Sequence, residues 1–319
     1  MRSFKLWQQR FRAICKGNKT IFMKNILIVA LSFWQLNSFS QEKSGHNYYW
    51  NEYSSYEAII GAKNCYVREN PSINSKLIDS LQIGKPIKVL QSTENDLAIK
   101  GLKVSWVEIE YQNNLGTITT GYLWKGFVAV GFVKTNNWTY LTTIDKVEKK
   151  IESKNYEVDN FTISIRILDQ KNGIIGQKTF KKEIADSHYF QNGSIGNLGL
   201  KKLKDIYRIS FSGQACGIPS LYYYFGWNGK EFLELPEKYE IGDAGVFYHS
   251  ENFVFPNERG GKPNYILKQV EEGVNEDDAL EKNTYFIDVT KWTETYKWDG
   301  QKAVFVSKSK DVKFRRKEN

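Results

Sequence analysis

From Phe161 to Ile167 the chain alternates without a break: Phe161, Ile163, Ile165 and Ile167 are apolar, and Thr162, Ser164 and Arg166 between them are polar. A period of two places the apolar set on one face of a pleated strand, a stripe that no helix can bury. Asn172-Gly173 then leads into a return strand around Gln177 to Ile184, which predicts a hairpin. The same grammar recurs. Ile206 to Ser212 reads as a strand, and Leu221 to Trp227 is followed by Asn228-Gly229 and Phe232 to Leu235. Thr293 to Trp298 leads likewise through Asp299-Gly300 to Ala303 to Val306. Asn-Gly and Asp-Gly between apolar runs predict type I′ turns, which need positive φ at both central residues. Aromatic residues make up 15% of the chain, a content that suits half-buried pleated surfaces. The expected class is all-β.

The formal net charge of +9 would point to nucleic acid if it covered the folded part, so its location decides the matter. Residues 1–40 hold seven bases and no acid, and the tail from Lys308 holds six bases against Asp311 and Glu318. Residues 41–307 carry 32 bases and 34 acids. A body this close to neutral has no counterion-release grip on DNA or RNA, and no nucleic-acid partner is expected.

The basic start precedes an apolar run from Ile26 to Trp34, bounded by Lys24 and Gln35. A bilayer span needs about 20 apolar residues, so this shorter run reads as the core of a secretory signal. Ser38 and Ser40 lie three and one residues before a cut at Gln41, and Met23 would open a compact signal by itself. Residues 1–40 are therefore expected to be a signal segment, leaving an exported protein, periplasmic or extracellular, with no stable membrane span. Export leaves Cys65 and Cys216, which could pair only with Cα atoms within about 7 Å; two separate buried thiols are the alternative.

Beyond a polar linker, residues 41–58, a run of short strands begins. Cys65-Tyr66-Val67-Arg68 precedes Pro71-Ser72, then come Leu77, Ile78, Leu81, the Gly84 turn and the alternating Ile87 and Val89. Val104 to Tyr111 reads as the next strand, and Gly121-Tyr122-Leu123-Trp124 closes the segment. Short strands at this spacing suggest a small closed sheet.

The residues Val67-Arg68 and Pro71-Ser72, with Leu81, Gly84, Val89, Trp106 and Gly121-Tyr122-Leu123, resemble the bacterial SH3 domain over residues 59–132. Two features depart from that pattern: a longer loop from Ser92 to Lys103, and extra residues between Tyr111 and Gly121. The resemblance implies an SH3-like barrel acting as a binding module, with peptidoglycan peptides or an envelope protein as partner. Its candidate ligand-binding residues are Tyr66, Trp106, Tyr122 and Trp124, since flat rings grip peptides or sugars at low entropic cost. Trp106, in company with Val107 and Ile109, also suits the barrel core.

Residues 133–158 read as a polar connection with a helical candidate around Val147 to Ile151, residues 159–307 as an antiparallel β domain (sandwich or meander), and residues 308–319 as a disordered basic tail. Gly196-Asn197-Leu198 with Asp205 ahead of a W-N-G hairpin faintly resembles an FG-GAP repeat of β-propellers, without its acidic calcium ligands. The acidic run Glu271, Glu272, Glu276, Asp277, Asp278 and Glu281 reads as a solvated loop.

Catalysis has few candidates. Cys216 in Gly213-Gln214-Ala215-Cys216-Gly217 could pair with His249 in an envelope hydrolase, but Gly217, Ile218 and Pro219 predict a turn where a nucleophile would need a helix start. Asp243, His249 and Glu251 lack a second histidine at ligand spacing, and a solvated loop is the expected state there. The sequence thus predicts a non-enzymatic binding or adaptor protein with no cofactor and no metal.

Overall fold

The alternation resolves into three antiparallel sheets in a computed structural model, which describes residues 45–50, 55–153, 156–184, 186–213, 215–275 and 285–318. The signal segment of residues 1–40 lies outside the described residues, as do Glu276 to Glu281 of the acidic run. The chain is all-β, and no helix among the described residues is long and apolar enough to cross a membrane.

The first sheet uses β1 (Tyr56–Ile59), β2 (Asn64–Arg68), β3 (Leu77–Gln82), β4 (Pro86–Ile99), β5 (Leu102–Gln112) and β6 (Ile118–Trp124) in the order β1-β4-β5-β6-β2-β3. Cys65, Val67, Leu81, Val104, Ile109 and Leu123 face its core. The expected loop from Ser92 to Lys103 is instead an extension of the β4–β5 hairpin, closed by Lys100 (φ 51°) and Gly101 (φ 78°). Two successive positive φ angles match the right-handed strand twist. The hairpin tip docks on the second sheet, where the Val147 amide donates to the Lys100 carbonyl at 3.0 Å.

The second sheet has the order β10-β9-β8-β7, built from β7 (Gly131–Lys134), β8 (Thr139–Ser153), β9 (Tyr156–Leu168) and β10 (Ile174–Lys182). Residues 133–158 are thus largely strand, and the helix expected at Val147 to Ile151 is the far half of β8. A bulge between Ile144 and Lys146 shifts the phase of β8, so Ile144 and Val147 are both buried at a spacing that imitates a helix.

The third sheet takes β11 (Tyr189–Ser194), β12 (Asp205–Ser212), β13 (Ser220–Trp227), β15 (Lys238–Asp243), β16 (Phe247–Val254), β17 (Tyr265–Val274), β18 (Tyr285–Trp298) and β19 (Ala303–Lys308) in chain order. The short β14 (Phe232–Glu234) pairs with β13, and β20 (Val312–Glu318) pairs with β18 beyond the end of β19. The tail expected to be disordered is therefore a strand. Arg315 forks onto Asp288 at 2.8 and 2.9 Å, and Arg316 reaches Glu271 at 3.0 Å. Glu271 and Glu272 likewise sit in β17 rather than in a loop, their partners supplied by neighbouring strands.

The two W-[ND]-G units are both hairpins of this ten-stranded sheet, not of separate propeller blades. Their turns are not type I′, since only Gly229 (φ 98°) and Gly300 (φ 96°) take positive φ. The Asn228 side-chain oxygen accepts the amides of Lys230 and Glu231 at 2.8 and 2.9 Å, and that of Asp299 accepts those of Gln301 and Lys302 at 2.8 Å each. A side chain that ties the turn together makes a second positive φ unnecessary.

One apolar cluster joins Val67 and Ile109 of the first sheet, Ile163 and Ile165 of the second, and Tyr207 and Phe211 of the third. Tyr140 stacks on Tyr207 at 4.6 Å, and the Thr142 hydroxyl lies 2.9 Å from the Tyr207 hydroxyl. Residues 45–50, expected in a polar linker, are drawn into this core. Tyr49 meets Phe161 and Phe211 edge-on, and the Trp50 indole donates to the Val128 carbonyl at 3.2 Å.

Candidate functional site

The four aromatic residues nominated for ligand binding do not share one surface. Trp106 and Trp124 face each other across β5 and β6, each only 5% exposed, and the Trp124 indole donates to the Leu97 carbonyl at 2.8 Å. Both belong to the apolar cluster of the core, where burial is the favourable place for a large ring. Tyr122 is half-buried against the same core. Tyr66 is 50% exposed on β2, opposite Ser80 of the edge strand β3. Leu77 and Ile78, also exposed, lie on that edge strand.

No hydrogen bond links Cys216 to His249 among the described residues. Cys216 is exposed in a tight turn in which the Ile218 amide donates to the Ala215 carbonyl and Gly217 takes φ 76°. Cys65, by contrast, is fully buried, and burial pushes its thiol well above the usual value. Both cysteines are free, so the expected alternatives of a disulfide or two buried thiols give way to one buried thiol and one exposed.

His249 is buried in β16, with Nδ1 2.9 Å from Glu272 and Nε2 3.2 Å from Glu251. Both ring nitrogens are thereby occupied, and neither is placed to take a thiol proton. Burial works against the imidazolium, but the bonds and charges of the two carboxylates together outweigh it and raise the His249 pKa. Glu251 shows the converse: burial favours its neutral acid, yet His249, the Lys268 ammonium and the Tyr239 amide combine to lower its pKa. Lys268 also reaches Glu294 at 3.2 Å, and the Tyr296 hydroxyl donates to Glu294 at 2.6 Å. The stretch expected as a solvated loop around His249 is thus an interlocked charge network that runs from β15 through β16 and β17 to β18. Among the described residues no group of three or more acidic, histidine or cysteine side chains is arranged to hold a metal ion.

The opposite face of these strands carries a cleft of about 540 Å³. Register builds it: Asn252 pairs with Gln269 and Gln269 with Thr293, while in the next row Ser250 pairs with Glu271, Glu271 with Lys291 and Lys291 with Val312. Ser309, at the break between β19 and β20, closes one side and accepts the Thr293 amide on its hydroxyl at 2.9 Å. The floor is fixed by Glu271, which accepts from the Tyr248 hydroxyl at 2.5 Å and Arg316 at 3.0 Å and pairs with Lys291 at 2.6 Å. Burial would raise the Glu271 pKa, but the bonds from Lys291, Tyr248 and Arg316 prevail and lower it. No sequence spacing announces this site, because its residues come from separate strands.

Comparison with protein families, with curated proteins and with solved structures finds no match for this chain.

Proposed function

We propose that the protein is an exported, non-enzymatic binding or adaptor protein whose six-stranded first sheet acts as an SH3-like module for a peptide of the cell envelope. The observation that supports this reading is the border of that sheet: β3 is its last strand, and exposed Leu77 and Ile78 stand there with exposed Tyr66 on the neighbouring β2. An extended peptide can add its main chain to such an edge and set alternate side chains against exposed apolar groups. A hydrolase built on Cys216 and His249 draws no support from the geometry, since both imidazole nitrogens are held by carboxylates. The test is titration of stem peptides released from peptidoglycan sacculi into the intact protein and into Tyr66→Ala. Binding by the wild type, weakened about tenfold in the variant, is the expected result. Equal binding by both proteins, or none by the wild type, would overturn the assignment.

A further inference from the structure

We propose that the cleft on the outer face of β16, β17 and β18 is a second binding site, for a neutral polyhydroxylated ligand of the oligosaccharide class. Four polar side chains carry the argument. Ser250, Asn252, Gln269 and Thr293 line the cleft, and none of the four side chains has a hydrogen-bond partner among the described residues. Asn252 and Gln269 are exposed, and Ser250 and Thr293 are half-buried.

Neighbouring strands lie about 4.8 Å apart, so the row Asn252–Gln269–Thr293 sets donors and acceptors at regular intervals along a line across the sheet. Each amide offers two N–H donors and a carbonyl acceptor, and each hydroxyl both donates and accepts. A sugar hydroxyl has the same double character, whereas a carboxylate or phosphate can only accept.

Polarity argues against an apolar ligand, and the unpartnered amides and hydroxyls favour a ligand that both donates and accepts. Glu271 is shared by Lys291 at 2.6 Å and Arg316 at 3.0 Å, so the floor carries one more base than acid, and the neutral row Asn252–Gln269–Thr293 lies beside it. An apolar ligand would bury the free amides of Asn252 and Gln269 without partners, at a cost of about 1–3 kcal/mol for each polar group. The cleft volume, about 540 Å³, lies within the range of small-ligand sites. Its floor is already locked by the Tyr248, Glu271 and Arg316 bonds, which reduces the ordering that binding must supply.

The test is saturation-transfer NMR and calorimetry of the intact protein with three neutral tetrasaccharides: cellotetraose, maltotetraose and tetra-N-acetylchitotetraose. At least one should bind at or below about 10 mM, with affinity reduced about tenfold in the Asn252→Ala/Gln269→Ala double variant and unchanged in Tyr66→Ala. The side-chain amide signals of Asn252 and Gln269 should shift on titration of the wild type, a readout that stands even if the double variant folds poorly. Failure of all three sugars to bind, or binding that leaves those amide signals and the double variant's affinity untouched, would overturn the proposal. So would retention of only an anionic polymer such as heparin in a salt-sensitive manner, which would reassign the surface to the basic β20. Neither result bears on peptide binding at Tyr66, which is read separately.

Discussion

The Tyr239 ring lies flat against the His249 imidazole, with 4.2 Å between centroids and 6° between planes. That stack covers a ring whose two nitrogens are already spoken for, by Glu251 and Glu272. The groups facing His249 are these two carboxylates, with Lys268 and Glu294 one step further along the network.

Because the folded pKa of His249 is raised, its charged form stabilises the fold fully below the unfolded value of about 6.5, and that contribution is lost as pH rises through the folded pKa. Glu251 acts in the other direction: its lowered pKa gives stability present above the ordinary carboxylate range and lost as pH falls through the folded value. Urea unfolding as a function of pH should therefore show wild type losing stability on the alkaline side relative to His249→Gln. Parallel curves for the two proteins above neutral pH would contradict this.

Trp124 and Tyr66 should separate core from surface. Trp124→Ala removes a buried indole and its bond to Leu97, and should cost about 3–5 kcal/mol. Tyr66→Ala should stay within about 0.5 kcal/mol, as for other exposed sites without special partners. Denaturant midpoints of the two variants decide the matter, and a large loss from Tyr66→Ala would mean that its ring packs in solution.

At the tip of the β4–β5 hairpin, a Cβ on Gly101 would stand 2.0 Å from the Val147 carbonyl oxygen, at a φ of 78° that side chains rarely adopt. Gly101→Ala should therefore unfold at a denaturant concentration lower by the equivalent of more than about 1 kcal/mol, with Val147 the first amide of β8 to lose exchange protection. An unchanged midpoint would show that the tip does not dock.

Residues 45–134 contain the whole first sheet but only part of its apolar cluster, which continues into Ile163, Ile165 and Tyr207. Expressed alone, this fragment should bind a hydrophobic dye and unfold without a sharp transition. A cooperative melt of the isolated fragment would establish a self-sufficient module instead.

Deleting residues 310–319 removes β20 from the flank of β18, where Ile287 and Val289 are buried. The loss of apolar cover should cost about 3 kcal/mol and open β18 to hydrogen exchange. Unaltered protection along β18 would argue that the basic tail is not held as a strand.

The sequence declares its strands where alternation runs unbroken, as from Phe161 to Ile167, and its turns at Asn172-Gly173, Asn228-Gly229 and Asp299-Gly300, whereas Asn192-Gly193 lies inside β11. It conceals them where a bulge changes phase, as at Asp145, or where polar residues occupy both faces, as from Ser92 to Asp96. Residue type alone cannot say whether Trp106 and Trp124 point inward, since either side of a small sheet can take a large ring. The order of the tail was hidden for another reason: Arg315 and Arg316 find their acids 27 and 45 positions away. The row Asn252–Gln269–Thr293 was equally illegible, because only strand register brings three isolated polar residues into line.

The border formed by β19 and β20 is interrupted at Ser309 to Asp311 and carries Lys308, Lys310, Lys313 and Lys317. A second copy laid antiparallel along it would bring base against base and meet a gap where a continuous strand is required. The oily patches at Val304, Phe305 and Val306 can thus face water without seeding fibres, and crowding should leave the molecule dispersed rather than stacked.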